Sequence, residues 1–218
     1  ADAIGVPLRR VEDIRFLTGQ GRYVSDIECA GALHAVFVRS VHAHAHIRNI
    51  DKDEALSLPG VVAVFTGDDM RADSVGPMRA MWAIKGPDGT PMAEPDRFAL
   101  ARGTVRHVGE PVAVVIAETP NAALDAAERV DVDYDVLPAQ PSAAGALAEG
   151  ARQIHDIAPG NVCFRWLRGD HQKVAAAFET AAHVVRMDIV NQRIGGAAIE
   201  PRALIALPPR GQDKLTLY

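Results

Sequence analysis

The run Pro111-Val112-Ala113-Val114-Val115-Ile116-Ala117 leads at once into Thr119-Pro120, and this junction constrains the fold more than any other stretch of the 218 residues. An unbroken apolar run of strand length, rich in Val, reads as a β-strand covered on both faces, and the wider stretch Val105 to Ala117 is expected to share it. Thr119 supplies a helix N-cap and Pro120 the first helical position, after which Ala123, Ala126, Ala127 and Val130 fall on one face at helical spacing. Val130, Val132 and Tyr134 then alternate as on a short strand ending before Pro138. A strand, a helix and a second strand this close together call for an α/β or α+β domain built on a sheet.

Other segments fit that class. Gly31 to Arg39 and Gly60 to Thr66 carry the β-branched and aromatic residues of strands, with a short helix expected over Lys52 to Leu58. Met70 to Arg97 holds Gly76-Pro77, Gly86-Pro87, Gly89, Pro91 and Pro95 and reads as a long irregular loop. Residues 138–169, rich in Ala, Gly and Pro, read as a connecting arm. Asp170 can cap a helix through Val174, Phe178 and Ala181, followed by a strand over His183 to Val190. Ala203 to Leu207 and Lys214 to Tyr218, joined by the turn Pro208 to Asp213, read as a hairpin. A chain that stops inside its last strand is expected to be the front part of something larger.

Composition narrows the function. The 48% hydrophobic and 23% charged fractions belong to a folded globular chain, and a net charge of −5 leaves no global footprint for nucleic acid or an anionic membrane. No apolar stretch approaches the roughly 20 residues that span a bilayer. The first residues lack the positive start and apolar core of a signal peptide, so a cytoplasmic location is expected. Cys29 and Cys163 form no Cys-x-x-Cys pair and are expected to be small buried hydrophobes.

Few residues invite a chemical role. His42, His44 and His46 alternate, which on an extended segment would place three imidazoles on one side, yet no second motif supplies further metal ligands. Gly19, Gly21 and Gly195-Gly196 complete neither a P-loop nor a dinucleotide fingerprint and read as turn glycines. In Arg168-Gly169-Asp170, an adhesion-like tripeptide, the glycine and aspartate serve better as a turn and a helix cap. Glu110 and Glu200 could each be a proton-transfer carboxylate or, as is commoner, one held by Arg or backbone amides, with Arg202 the evident partner of Glu200. No nucleophile elbow is present.

Taken together, several segments resemble one family. Val6 to Ile27 is similar to the opening of the large, molybdenum-binding subunits of the xanthine dehydrogenase, aldehyde oxidase and carbon monoxide dehydrogenase family. Val38-Arg39-Ser40, His44 to Asp51, Leu58-Pro59-Gly60-Val61, Gly109 to Ala113 and Val132 to Pro138 resemble its hammerhead domain in order and spacing. Asn161 to Trp166, Gly169-Asp170 and Ile199 to Ala203 look like the start of its molybdopterin-binding portion.

The resemblance implies an α/β (α+β) hammerhead fold followed by the first helix and strands of the molybdopterin-binding domain. Its expected divisions are an opening segment 1–18, the hammerhead 19–140, the connecting arm 141–169 and an incomplete cofactor domain 170–218. It implies hydroxylation of an aldehyde, an N-heterocycle or a related small substrate with water as oxygen source. It further implies molybdenum on molybdopterin in its cytosine dinucleotide form, with electrons passed to iron–sulfur and FAD subunits. The remainder of the molybdenum subunit would be a partner too; nucleic acid and membrane would not. The Ser/Thr-Gln segment, the Gly-Gly-Phe-Gly loop, a cysteine loop, the pterin loops and a late catalytic glutamate are absent from this sequence. The chain is therefore expected to carry no catalytic, cofactor-binding or metal residues of its own, to serve structure and interfaces, and to be inactive alone. The alternative is a stand-alone, non-catalytic hammerhead module acting as an interaction domain.

Overall fold

Helices and strands alternate along the chain: α1 Asp13–Leu17, β1 His34–Arg39, β2 Ala45–Asp51, α2 Asp53–Ser57, β3 Val61–Thr66, α3 Gly67–Ala72, β4 Thr104–Val105, β5 Pro111–Ala117, α4 Pro120–Ala127, β6 Asp131–Val136, α5 Ala143–Ala146, α6 His171–Thr180, β7 Ala206–Leu207 and β8 Thr216–Leu217. The computed structural model describes residues 4–192, 194–198, 200–208 and 214–218. The expected turn residues 209–213 and Ile199 lie outside them. The chain forms two compact units, Gly31–Ala182 and a second made of Ala1–Ala30 with His183–Tyr218.

In the first unit, two antiparallel sheets share the work of burial, ordered β1-β5-β3 and β4-β2-β6. The apolar run supplies β5, the centre of its sheet, with Val36↔Val115 and Val64↔Val115 in one cross-strand row. That face packs on Ala126 of α4, Val130 and Ala55 of α2. The opposite row, Phe37–Val114–Phe65, keeps both rings exposed. The strand expected from Val105 onward is broken: Val105 pairs with Ala45 in the other sheet, and Gly109 at φ +84 turns the chain into β5. Left-handed backbone at that position favours glycine, which is why the apolar run starts afresh after it.

The helix starts obey local chemistry. Thr119 accepts the Ala122 amide at the head of α4, and Asp170 accepts the Lys173 amide at the head of α6. Thr66 and Asp69 form a reciprocal capping box for α3, with Thr66 N–H donating to Asp69 Oδ2 at 2.7 Å. Helix α3 occupies the first residues of the stretch read as irregular; beyond it the isolated pairs Met78↔Arg97 and Lys85↔Pro91 and a turn in which Gly86 N–H donates to Thr90 O at 2.8 Å add order up to Arg97.

In the second unit, β7 and β8 pair antiparallel, and Ile205 and Tyr218 exchange backbone hydrogen bonds at 3.1 and 2.9 Å. The expected strand over His183 to Val190 does not form. A strand needs a neighbour for its N–H and C=O groups, and none lies beside these residues among those described.

Candidate functional site

The polar residues of the first unit gather where the β4–β5 turn meets the start of β2. Gly109 N–H donates to Ser40 O at 2.8 Å and Ser40 N–H to Glu110 O at 2.9 Å, so two loops are locked reciprocally. Glu110 Oε2 accepts the Arg106 amide at 2.5 Å. The Arg106 guanidinium donates to Thr104 O at 3.3 Å and, from Nε, to Ile154 O at 3.1 Å. Ser40, only 2% exposed, donates through Oγ to His42 O and accepts the His42 amide, both at 3.0 Å. The His42 ring stands edge-on to Tyr134 with centroids 5.0 Å apart. Burial pushes the Tyr134 phenol up, a hydrogen bond with Ser40 opposes this, and the Glu110 charge adds to the rise.

His155 completes the group. Burial lowers its pKa from the ordinary 6.5, and Arg106 and His44 lower it further against the opposing charges of Glu110 and Asp156. The loop that carries it is knitted by Asn161, at φ +59. Asn161 Oδ1 accepts the Ile154 amide at 2.8 Å while Nδ2 donates to the carbonyls of Ala146 and Arg152, both at 3.0 Å. Neither Arg106 nor His155 stood out in the sequence, because the contact between Arg106 and this loop joins positions 48 apart.

The three histidines do not share one side. His44 is 4% exposed with Nδ1 2.9 Å from Pro138 O, His46 Nδ1 lies 3.1 Å from Thr104 Oγ1, and His42 faces Tyr134. Strand β2 begins only at Ala45, so the alternation of an extended segment does not hold across the group. Among the described residues no group of three or more His, Cys, Asp or Glu could hold a metal ion. The one buried side-chain polar atom without a partner among them, Arg102 Nε, belongs to a guanidinium stacked 3.9 Å over the Phe98 ring.

The remaining candidates have structural partners. Both carboxylates are held by backbone amides: Glu110 by Arg106, and Glu200, through Oε1, by Val24 at 2.8 Å. Arg202 makes no ion pair with Glu200 among the described residues. Gly21 makes room for a ring, since a Cβ there would sit 2.6 Å from Phe16 Cδ1, and Phe16 stacks on Tyr23. These residues, with Arg10 and Asp13, line an open groove of about 660 Å³. Gly19 at φ +71 is a turn residue, and Gly195 and Gly196 have open space where a Cβ would stand. Gly169 at φ +108 turns the chain into the Asp170 cap. Cys29 and Cys163 are half-buried rather than buried, both being in irregular segments.

This framework matches known proteins along its length. Residues 18–138 match the family model described as aldehyde oxidase and xanthine dehydrogenase, a/b hammerhead domain, and residues 154–218 match the molybdopterin cofactor-binding domain. The chain is 36% identical over its whole length to the nicotine 6-hydroxylase large subunit of Paenarthrobacter nicotinovorans, of which it covers 26%. It is 33% identical over 99% of its length to the carbon monoxide dehydrogenase large chain of Afipia carboxidovorans, of which it covers 27%. The crystal structure of quinoline 2-oxidoreductase from Pseudomonas putida 86 superposes with a TM-score of 0.81 at 36% identity, covering 99% of this chain and 26% of that one. The chain thus spans about a quarter of the length of the curated relatives it matches. By these matches and its hammerhead fold, the chain belongs to the aldehyde oxidase and xanthine dehydrogenase family of molybdopterin-dependent oxidoreductases.

Proposed function

We propose that this chain serves as the hammerhead portion of a molybdenum hydroxylase subunit acting on an N-heterocycle. The observation that carries the reading is the likeness, over 99% of the chain, to quinoline 2-oxidoreductase, supported by the identity with a nicotine hydroxylase subunit. Both names denote action on nitrogen-containing rings, whereas the carbon monoxide dehydrogenase chain is somewhat less identical. Aldehydes are the runner-up substrate class. In this reading the complete subunit would hold molybdenum on molybdopterin in its cytosine dinucleotide form, which would supply hydroxylation chemistry with water as the oxygen source, and iron–sulfur and FAD subunits would be its partners.

The part played by this segment is structural. Its polar side chains at the β4–β5 turn, Glu110 and Arg106 above all, hold backbone groups in place. The division into an opening segment 1–18, hammerhead 19–140, arm 141–169 and cofactor-domain start at 170 belongs to the same proposal; the match at 18–138 lies close to the hammerhead bounds, whereas the match at 154–218 begins inside the arm.

Affinity purification of the chain from the cells that make it, followed by denaturing mass spectrometry and analysis of molybdenum, iron and flavin, tests the reading. Co-purifying iron–sulfur and flavin subunits with stoichiometric molybdenum, and turnover of quinoline- or pyridine-type rings, are expected. A single species of 23.3 kDa without molybdenum would overturn it in favour of a stand-alone interaction module.

A further inference from the structure

Four strands stand at sheet edges in the Gly31–Ala182 unit, β1, β3, β4 and β6, and three of them are protected. A free edge is a row of unpaired N–H and C=O groups on which another extended chain can pair. On β3, Val64 O accepts Lys52 Nζ at 3.2 Å and Thr66 N–H donates to Asp69 Oδ2 at 2.7 Å. Strand β4 is two residues long, and β6 carries Asp131, Asp133 and Asp135 at alternate positions. Strand β1, His34–Arg39, contains neither proline nor carboxylate, and among the described residues nothing pairs with the backbone groups that it turns away from β5. Successive residues of an antiparallel strand direct those groups to opposite sides. Val64 and Thr66 bond outward from β3, so Ala63 and Phe65 bond to Ile116 and Val114, which leaves Ala113 and Val115 of β5 to bond to Val38 and Val36. Ser40 N–H, which donates to Glu110 O, keeps the same alternation. The open side of β1 therefore belongs to Ala35, Phe37 and Arg39, all exposed, with the Arg39 guanidinium 5.6 Å above the Phe37 ring.

We propose that β1 is the seam of a two-fold dimer, in which it pairs antiparallel with β1 of a second copy about an axis at Phe37. In this register Phe37 stands opposite Phe37 of the second copy, and Ala35 opposite its Arg39, so every outward N–H and C=O of the strand meets a partner. A slip of the register either way leaves Arg39 or Ala35 without a partner inside the strand. The exposed Phe37 rings meet across the axis, and Val36 faces Val38 of the second copy on the core side, where both are only half-buried. Charge favours a second copy at β1 and at no other edge. No like charges stand opposite each other in the β1 pair, whereas β6 paired with itself would set aspartate against aspartate. The contact uses the same surface on both copies and closes on itself, leaving β3, already protected, at each end of the joined sheet.

Sedimentation velocity of the full chain over a dilution series reads the dissociation constant. A species of twice 23.3 kDa that dissociates on dilution is expected. Ala35→Lys places an ammonium opposite Arg39 of the second copy, twice by symmetry, and should weaken the dimer roughly two- to thirtyfold; Ala35→Glu should tighten it by a similar factor. Position 35 is exposed, so neither change disturbs the core of the single copy. Phe37→Lys sets like charges on the axis and should give a monomer with the far-UV circular dichroism of the wild type. Hydrogen exchange adds a readout specific to the edge: the amides of Ala35, Phe37 and Arg39 should gain protection on association, while those of Val36 and Val38 are protected throughout. A monomer at every concentration, species larger than a dimer, or the same effect of lysine and glutamate at position 35 would overturn the proposal. So would protection of the three outward amides in particles that hold a single copy of this chain, the signature of a strand supplied by another subunit.

Discussion

Glu200 Oε1 accepts the backbone N–H of Val24 at 2.8 Å, a contact that spans 176 positions and joins the Glu200-Pro201-Arg202 segment to the turn Val24–Asp26. A half-buried amide left without an acceptor costs about 1 kcal/mol, whereas a neutral carbonyl in the same place keeps most of the bond. Glu200→Gln should therefore be nearly silent. Glu200→Ala should speed exchange of the Val24 amide about fivefold in NMR hydrogen-exchange measurements, the rate ratio that about 1 kcal/mol corresponds to. Equal rates in the alanine variant and the wild type would show that the contact contributes nothing.

How far the sequence disclosed this arrangement depends on the range of the interaction. Thr119-Pro120, Asp170 and the Val112 to Ala117 run act within a few residues, so they were legible and stand where expected. The Thr66–Asp69 capping box was equally local and could have located α3, but the glycines and prolines downstream masked it. His183 to Val190 shows the reverse failure, in which β-propensity without a neighbouring strand yields no ladder. The histidine alternation misled because His44 is turned inward to the Pro138 carbonyl, a partner 94 positions away. The grouping of Arg106, Glu110 and His155 depends on how the loop returns to the β4–β5 turn, which no local pattern encodes.

Leu100 is the bulkiest of the fully buried side chains, 2% exposed, and neighbouring Ala101 packs with Ala45, Val105 and Val112. Truncation removes the transfer free energy of its methyl groups and leaves a hole that close-packed neighbours fill only in part. Leu100→Ala should destabilise the Gly31–Ala182 unit by about 2–5 kcal/mol. A urea titration followed by far-UV circular dichroism reads this as a lowered midpoint, and a shift below about 0.5 kcal/mol would mean the site collapses around the gap.

Asp69 caps α3 and pairs with Lys52 Nζ at 2.9 Å, and Lys52 also donates to Val64 O at 3.2 Å. The hydrogen bond from Lys52 leads the causes that hold the Asp69 carboxyl below its ordinary 3.8, with Thr66 adding to it against the desolvation. A lowered folded-state pKa means stability present above 3.8 and lost as pH falls through the folded value. Asp69→Ala should cost about 1 kcal/mol at neutral pH from the lost cap. It should also flatten the acid limb of a plot of thermal midpoint against pH below 3.8; a limb as steep as that of the wild type would assign the acid sensitivity elsewhere.

Tyr134 carries the opposite sign. Its phenol is pushed above the ordinary 10.0 chiefly by burial, so the folded state favours the protonated ring. Stability is then unaffected below pH 10 and falls as pH rises through 10 toward the folded value, because the unfolded chain releases this proton first. Tyr134→Phe removes the hydroxyl while keeping the ring against His42. It deprives Ser40 of one partner, yet Ser40 Oγ still donates to His42 O and accepts the His42 amide, so the neutral-pH cost should stay near 1 kcal/mol or less. The variant should lose the alkaline decline expected of the wild type in thermal melts between about pH 9 and about pH 11. An unchanged decline would mean that Tyr134 does not couple its ionisation to the fold, and that the rise attributed to burial is cancelled by the Ser40 hydrogen bond.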